Sequence, residues 1–214
     1  YRQRYLDLIV SPETRDRMIF RTTVVREVRR FLEDRSFIEV ETPVLQAQAS
    51  GALARPFKTH HNALDCDFYL RIAPETYLKR LIVGGFNNVF EIARCFRNEG
   101  IGPNHLQEFT MVEGYSAYWN FQDNMKLIRE LLLHIVSKMS GSHTVTLGDT
   151  TIDLSENWPT VTFRELIKGD INLDIDKFPT AETLLAEIKR LNIKLDEDNL
   201  SVLGRGNLID LLYK

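Results

Sequence analysis

An α+β fold is predicted, built as an antiparallel β-sheet flanked by helices, and three observations predict it. The run Val89-Phe90-Glu91-Ile92-Ala93-Arg94-Cys95 has the β-branched and aromatic content of a strand. Glu108 to Tyr118 reads as a second strand. Between them Gly100, Gly102, Pro103 and Asn104 break strands and make turns, so the pair is a β-hairpin with a long polar loop. On either side of this hairpin, apolar residues recur at helical spacing, from Met18 to Leu32 and from Met125 to Met139.

The first helix is announced by Ser11-Pro12-Glu13: a hydroxyl cap, proline at the first helical position and an acid in the first turn. Met18, Val24, Val25, Val28, Phe31 and Leu32 extend it to about Arg35 as an amphipathic helix. Phe37 to Thr42 alternates as a short strand that Pro43 stops. The Gly51 neighbourhood is loop-like, Phe57 to His61 fits a strand, and Phe68 to Ala73 fits another. Pro74 to Val83 is a helix ended by Gly84-Gly85. After the hairpin, Asp123 opens a helix with Met125, Ile128, Leu131, Leu132, Ile135, Val136 and Met139 as a core stripe, closed by Gly141. Thr144 to Asp153 forms a second hairpin around Gly148-Asp149. Thr162 to Lys168, Thr180 to Leu191 and Leu200 to Tyr213 are further helices. Residues 1–140 and 141–214 form two regions on this reading, the second a hairpin and helical insertion.

Composition bounds the function. With 214 residues, 43% apolar and 27% charged, the chain can bury a good core as one domain or one and a half. No run approaches the roughly 18 apolar residues that cross a bilayer, so no membrane partner is expected. A net charge of −3 argues against a general nucleic-acid clamp and places the main grip on any RNA elsewhere. Cys66 and Cys95 lie far apart with no CxxC, which fits reduced, cytoplasmic surroundings better than a disulfide framework or a zinc site. Adjacent His60 and His61 would point to opposite faces of a strand, so they read as hydrogen-bonded polar positions rather than metal ligands. Gly204-Arg205-Gly206 lacks the preceding strand and longer glycine pattern of a phosphate loop. The start, Tyr1-Arg2-Gln3-Arg4-Tyr5, carries neither an initiator Met nor a signal-peptide pattern, and an excerpt of a longer protein is expected.

Strand periodicity sets out a candidate site. Glu91, Ala93, Cys95, Arg97 and Glu99 share one face, and small residues at 93 and 95 are expected to leave open space beside the Arg97 guanidinium. Phe109, Met111, Glu113 and Tyr115 share a face of the second strand. If both faces look the same way, a cation, a ring and carboxylates stand in a row. Phe109 to Glu113 spans roughly 13 Å, about the reach of a nucleotide joined end to end with an amino acid. Taken on spacing alone, these charges also fit a solvated strand face.

Resemblance decides between these readings. Arg97-Asn98-Glu99, a loop, then Glu108-Phe109-Thr110 and Glu113 resembles motif 2 of class II aminoacyl-tRNA synthetases. The long helix feeding Glu39-Val40-Glu41-Thr42-Pro43 resembles motif 1, which implies a homodimer through that helix and strand. Ala54-Arg55-Pro56-Phe57 with Thr59-His60-His61-Asn62 is similar to the lysyl-tRNA synthetase family in particular. Where that family shows Gly-Gly-Ala, this chain has Ser50-Gly51-Ala52.

The resemblance implies ATP-dependent activation of lysine to lysyl-adenylate and transfer to tRNA(Lys). Arg97 would bind the amino-acid carboxylate and the α-phosphate together, as a planar fork suits. Glu99 would accept from the adenine amino group, Phe109 would stack on adenine, and His105 would approach the β- or γ-phosphate. Gly51 would lie near the substrate amino group and Glu75, in the first turn of its helix, would hold it. Glu113 and Tyr115 would meet the lysine side chain. The family's His-Asn-Pro-Glu-Phe is here His105-Leu106-Gln107-Glu108-Phe109, a change in loop stiffness and in one polar group near the nucleotide. The family's glycine-rich third motif and its Mg2+-holding acids are expected beyond Lys214, and its anticodon-binding barrel before Tyr1. The polypeptide alone is accordingly expected not to sustain full adenylation. Two alternatives remain open: a paralogue that transfers lysine to a protein, and a non-catalytic dimerisation module.

Overall fold

The computed structural model describes residues 3–102, 105–155, 158–195, 197 and 199–214. The chain divides into two compact units, Tyr1–Ser155 and Glu156–Lys214. The division thus falls after the second hairpin, not before it at 140/141.

The first unit opens on α1 (Arg4–Val10), a helix without a strong sequence signal, followed at once by α2 (Pro12–Glu33). The Ser11 hydroxyl accepts from the Thr14 amide at 3.3 Å, so the cap read from sequence is made. Then come β1 (Ile38–Glu39), β2 (Leu45–Gln46), β3 (Lys58–His61), β4 (Cys66–Leu70) and α3 (Glu75–Val83). The long hairpin is β5 (Asn88–Phe96) and β6 (Glu108–Ser116), followed by α4 (Phe121–Ser140) and the hairpin β7 (Thr144–Leu147) and β8 (Thr150–Asp153).

One sheet has the order β1-β5-β6, with β1 parallel and β6 antiparallel to β5; another has the order β2-β4-β3, antiparallel throughout. Strand β1 is shorter than the alternation from Phe37 to Thr42 suggests. After the Val40 amide donates to the Phe90 carbonyl, that edge of β5 is taken over by Arg71, whose Nε donates to the Arg94 carbonyl at 2.8 Å. The core joins α2, α4 and the sheet through Phe31, Leu32, Phe37, Phe90 and Leu131.

The α4 stripe expected to be core is largely not buried. Leu131 is buried, with Leu127 and Ile135 packed beside it, whereas Met125, Ile128 and Leu132 are exposed. The apolar surface of α4 is wider than the side that meets α2, and periodicity along one helix does not say how much of a broad stripe finds a partner.

The second unit holds α5 (Phe163–Ile171), α6 (Ala181–Arg190) and α7 (Arg205–Tyr213), with short 3-10 turns at Ile175–Lys177 and Leu200–Val202. Thr162 and Thr180 each make a reciprocal capping box. Its own core is Ile167, Leu173, Ile175, Leu184, Ile188 and Leu208. Gly204 precedes α7, and Arg205 donates to the Phe178 and Ile175 carbonyls, a fold-holding role for the Gly-Arg-Gly fragment.

Candidate active site

Strand register brings the two sequence-predicted faces together. Cys95 pairs with Phe109, Ala93 with Met111, Glu91 with Glu113, and Val89 with Tyr115. Residues directly opposite in an antiparallel ladder project to the same side, so Glu91, Ala93 and Cys95 lie on one face with Phe109, Met111, Glu113 and Tyr115. Pairing continues one step beyond β5, where the Arg97 amide donates to the Gln107 carbonyl at 2.8 Å. The Arg97 guanidinium stands 5.1 Å from the Phe109 ring centroid, within cation–π reach. Ala93 and Cys95 are wholly buried, so the expected open space beside Arg97 is not over them. It lies further along, towards the loop.

There, a cavity of about 280 Å³ is lined by Arg97, Glu99, Gly100, His105, Leu106, Gln107 and Phe109. The Arg97 Nε is buried and has no hydrogen-bond partner among the described residues, a donor left for something outside the chain. Glu99 is exposed, and one of its oxygens accepts from the Arg55 amide at 3.3 Å. The Asn98 amide donates to the Arg55 carbonyl at 2.7 Å, so the Ala-Arg-Pro-Phe run buttresses the loop. Gln107, where the family has proline, donates to the Glu99 and Gly100 carbonyls at 3.3 Å each. A side-chain amide thus restrains the loop that a proline ring would have stiffened. The expected turn at Pro103-Asn104 lies outside the described residues.

At the other end of the row, Glu113 is half-buried and its Oε2 is buried without a hydrogen-bond partner among the described residues. Burial pushes the Glu113 carboxyl above the usual range, and the Glu75 charge adds to this; Arg97 and a hydrogen bond with Tyr115 oppose it. The Tyr115 phenol is pushed up to about 12, first by burial and then by the charges of Glu113 and Glu75. Glu75, in the first turn of α3, accepts from Lys79 Nζ at 2.5 Å, and that ammonium lies 5.7 Å from the Tyr115 ring centroid. Gly51, at φ +92°, lies directly over Glu75: a Cβ at position 51 would stand 2.9 Å from the Glu75 Cβ. Gly51 and Glu75 are therefore neighbours, and the charges on Glu75 and Arg97 both bear on Glu113.

Sequence reasoning missed the buried base of this site. Arg71 Nη1 contacts Glu91 Oε1 at 2.5 Å, with side-chain exposures of 4% and 5%. The Thr42 hydroxyl donates to Glu91 Oε2 at 2.6 Å. The available signal was a lone cation in Phe68–Ala73 and a lone acid in Val89–Cys95, each in an apolar run where a charge must be paired. His60 and His61 lie on β3; His60 is 3.4 Å from Asp65, and His61 Nδ1 accepts from the Leu64 amide at 3.3 Å. Among the described residues no group of three or more His, Cys, Asp and Glu stands together to hold a metal ion. Among the same residues no helix is long and apolar enough to cross a membrane.

The family description "tRNA synthetases class II (D, K and N)" matches residues 1–198, and the chain belongs to that family. Within it, the chain is 52% identical over 196 residues to a lysine–tRNA ligase of Dehalococcoides mccartyi, covering 92% of this chain and 39% of that protein. A lysine–tRNA ligase of Moorella thermoacetica is 45% identical over 214 residues, covering 100% of this chain and 43% of that protein. One from Pelotomaculum thermopropionicum is 48% identical over 198 residues, covering 92% and 39%. The chain spans about two fifths of the length of the curated relatives it matches.

Proposed function

We propose that this chain carries the lysine- and ATP-binding hairpin of a lysine–tRNA ligase. The observation that carries the reading is the row on one face of β5 and β6: Phe109 and Arg97 at one end, Glu113 and Tyr115 at the other, with Glu75 and Gly51 beside them. In the reaction, a lysine carboxylate oxygen attacks the α-phosphorus of ATP, the P–O bond to pyrophosphate breaks, and lysyl-adenylate forms. The tRNA(Lys) terminal hydroxyl then takes the acyl group and releases AMP. The protein's work is to hold two anions together and to stabilise the charge that develops between them. The free Nε of Arg97 suits that task. Phe109 stacks on adenine, Glu99 accepts from its amino group, and His105 meets the phosphate tail. Glu113, with an unsatisfied oxygen, and Tyr115 receive the lysine side chain; Glu75 holds the α-ammonium, with Gly51 giving it room. A neutral side chain would leave the Glu113 carboxylate buried and unpaired, which is the source of selectivity.

The chain acts as a homodimer in the cytoplasm on this reading, paired through α2 and β1. Met18, Ile19 and Phe20 are exposed on α2 and supply apolar surface for the contact. The test is titration of ATP and of lysine into the parent chain and into Arg97→Ala. Arg97→Ala should weaken ATP binding by about 1.5–3 kcal/mol, as for the loss of a hydrogen bond to a charged group. Equal ATP and lysine affinities in the two proteins would end the reading.

A further inference from the structure

The buried group beneath the site has a task that packing does not explain. Glu91 and Glu113 are directly opposed across β5 and β6 on one face. Two like charges so placed destabilise a strand pair and raise each other's hold on a proton. Arg71 meets this conflict. Its Nη1 contacts Glu91 Oε1 at 2.5 Å and also donates to the Thr42 carbonyl at 3.0 Å and hydroxyl at 3.1 Å, while its Nε donates to the Arg94 carbonyl. Thr42 completes the ring by donating to the other Glu91 oxygen. A buried ion pair is weak evidence for stability, since an apolar pair of similar volume often serves as well. Its position under a functional carboxylate is the distinguishing fact.

The geometry points to Arg71 as a positioning residue: by pairing with Glu91 and Thr42 it shields Glu113 from the opposed carboxylate and keeps the pocket end free for a cationic side chain. The inference rests on the proposed function for the identity of that cation. The charged and titratable groups that bear on Glu113 come from several elements. They are Glu75 on α3, with its partner Lys79, Arg97 beyond β5, Tyr115 on β6, and Glu91 on β5.

The experiment follows the Glu113 carboxyl by NMR as pH is varied, without ligand, in the full chain and in Glu91→Gln and Arg71→Met. Lysine binding is measured calorimetrically over the same range. In Glu91→Gln the opposed charge is gone and Arg71 keeps an acceptor, so Glu113 should release its proton at lower pH than in the parent. The acid limit of lysine binding should move down with it. In Arg71→Met the Glu113 carboxyl should take up its proton at higher pH, and the acid limit should rise. A purely structural tie would lower the melting temperature of both variants and leave the Glu113 titration where it was, which would overturn the inference. If Arg71→Met does not fold, Arg71→Gln, which keeps a donor to Glu91 without the charge, takes its place and is read in the same way. Parental protein that binds no lysine while the carboxyl shifts occur would instead sink the proposed function and leave the electrostatic role of Arg71 standing.

Discussion

Glu113 combines opposite demands at the scale of a single residue. Its carboxyl is raised by burial and by Glu75, so the folded chain holds that proton more tightly than the unfolded chain does. The folded state therefore binds more protons than the unfolded one between the ordinary carboxylate range and the raised value. Stability from this group is present at low pH and is lost as pH rises through that window. Glu113→Gln should remove this loss and make the chain more stable at neutral pH while abolishing lysine binding, as denaturant titrations at several pH values beside calorimetry would read. Gly51 is constrained by space rather than charge. Gly51→Ala would put a Cβ at 2.9 Å from the Glu75 Cβ at φ +92°, so Glu75 must shift. Lysine binding should weaken at least about tenfold, as expected when a buried charge pair loses its geometry, with ATP binding less affected.

At the scale of elements, the hairpin is held by its neighbours as much as by its own ladder. The α4 helix, which packs behind it on α2, starts with a reciprocal cap. Asn120 Oδ1 accepts from the Gln122 amide at 2.7 Å, and Asp123 Oδ2 accepts from the Asn120 amide at 2.9 Å. Asn120→Ala should cost about 1 kcal/mol, measured by chemical denaturation. The end of α4 was legible because a left-handed Gly141 is a local signal, whereas its start was read at Asp123, the third residue of a helix that Asn120 caps. Its burial was not legible, because Met125, Ile128 and Leu132 carry the same apolar pattern as Leu131 yet are exposed. The same contrast holds for β1: alternation continues to Thr42, but Arg71 occupies the edge where further ladder bonds would form.

At the scale of the whole molecule, two units with separate cores share the chain. Only the first carries the residues of the candidate site. Its exposed apolar residues on α2 lead to a test of assembly. On the proposed pairing through α2, Phe20→Glu should shift sedimentation from a dimer towards a monomer while leaving the circular dichroism spectrum unchanged, because Phe20 is exposed in the single chain and its replacement removes no core contact.

Much of the candidate site could be read from residue order. Strand alternation put Arg97 with Glu91, and Phe109 with Glu113, because the side-chain period of an extended chain is a local property. The placement of Glu75 at a helix start and of Gly51 in a loop was legible for the same reason. The phase between β5 and β6 was not, since either alternation could have turned away; the pairing of Cys95 with Phe109 is a contact across 14 residues that only folding sets. The Arg71–Glu91–Thr42 group likewise joins three segments whose separations in sequence carry no period. Burial makes these charges find one another, and burial is a property of the assembled fold.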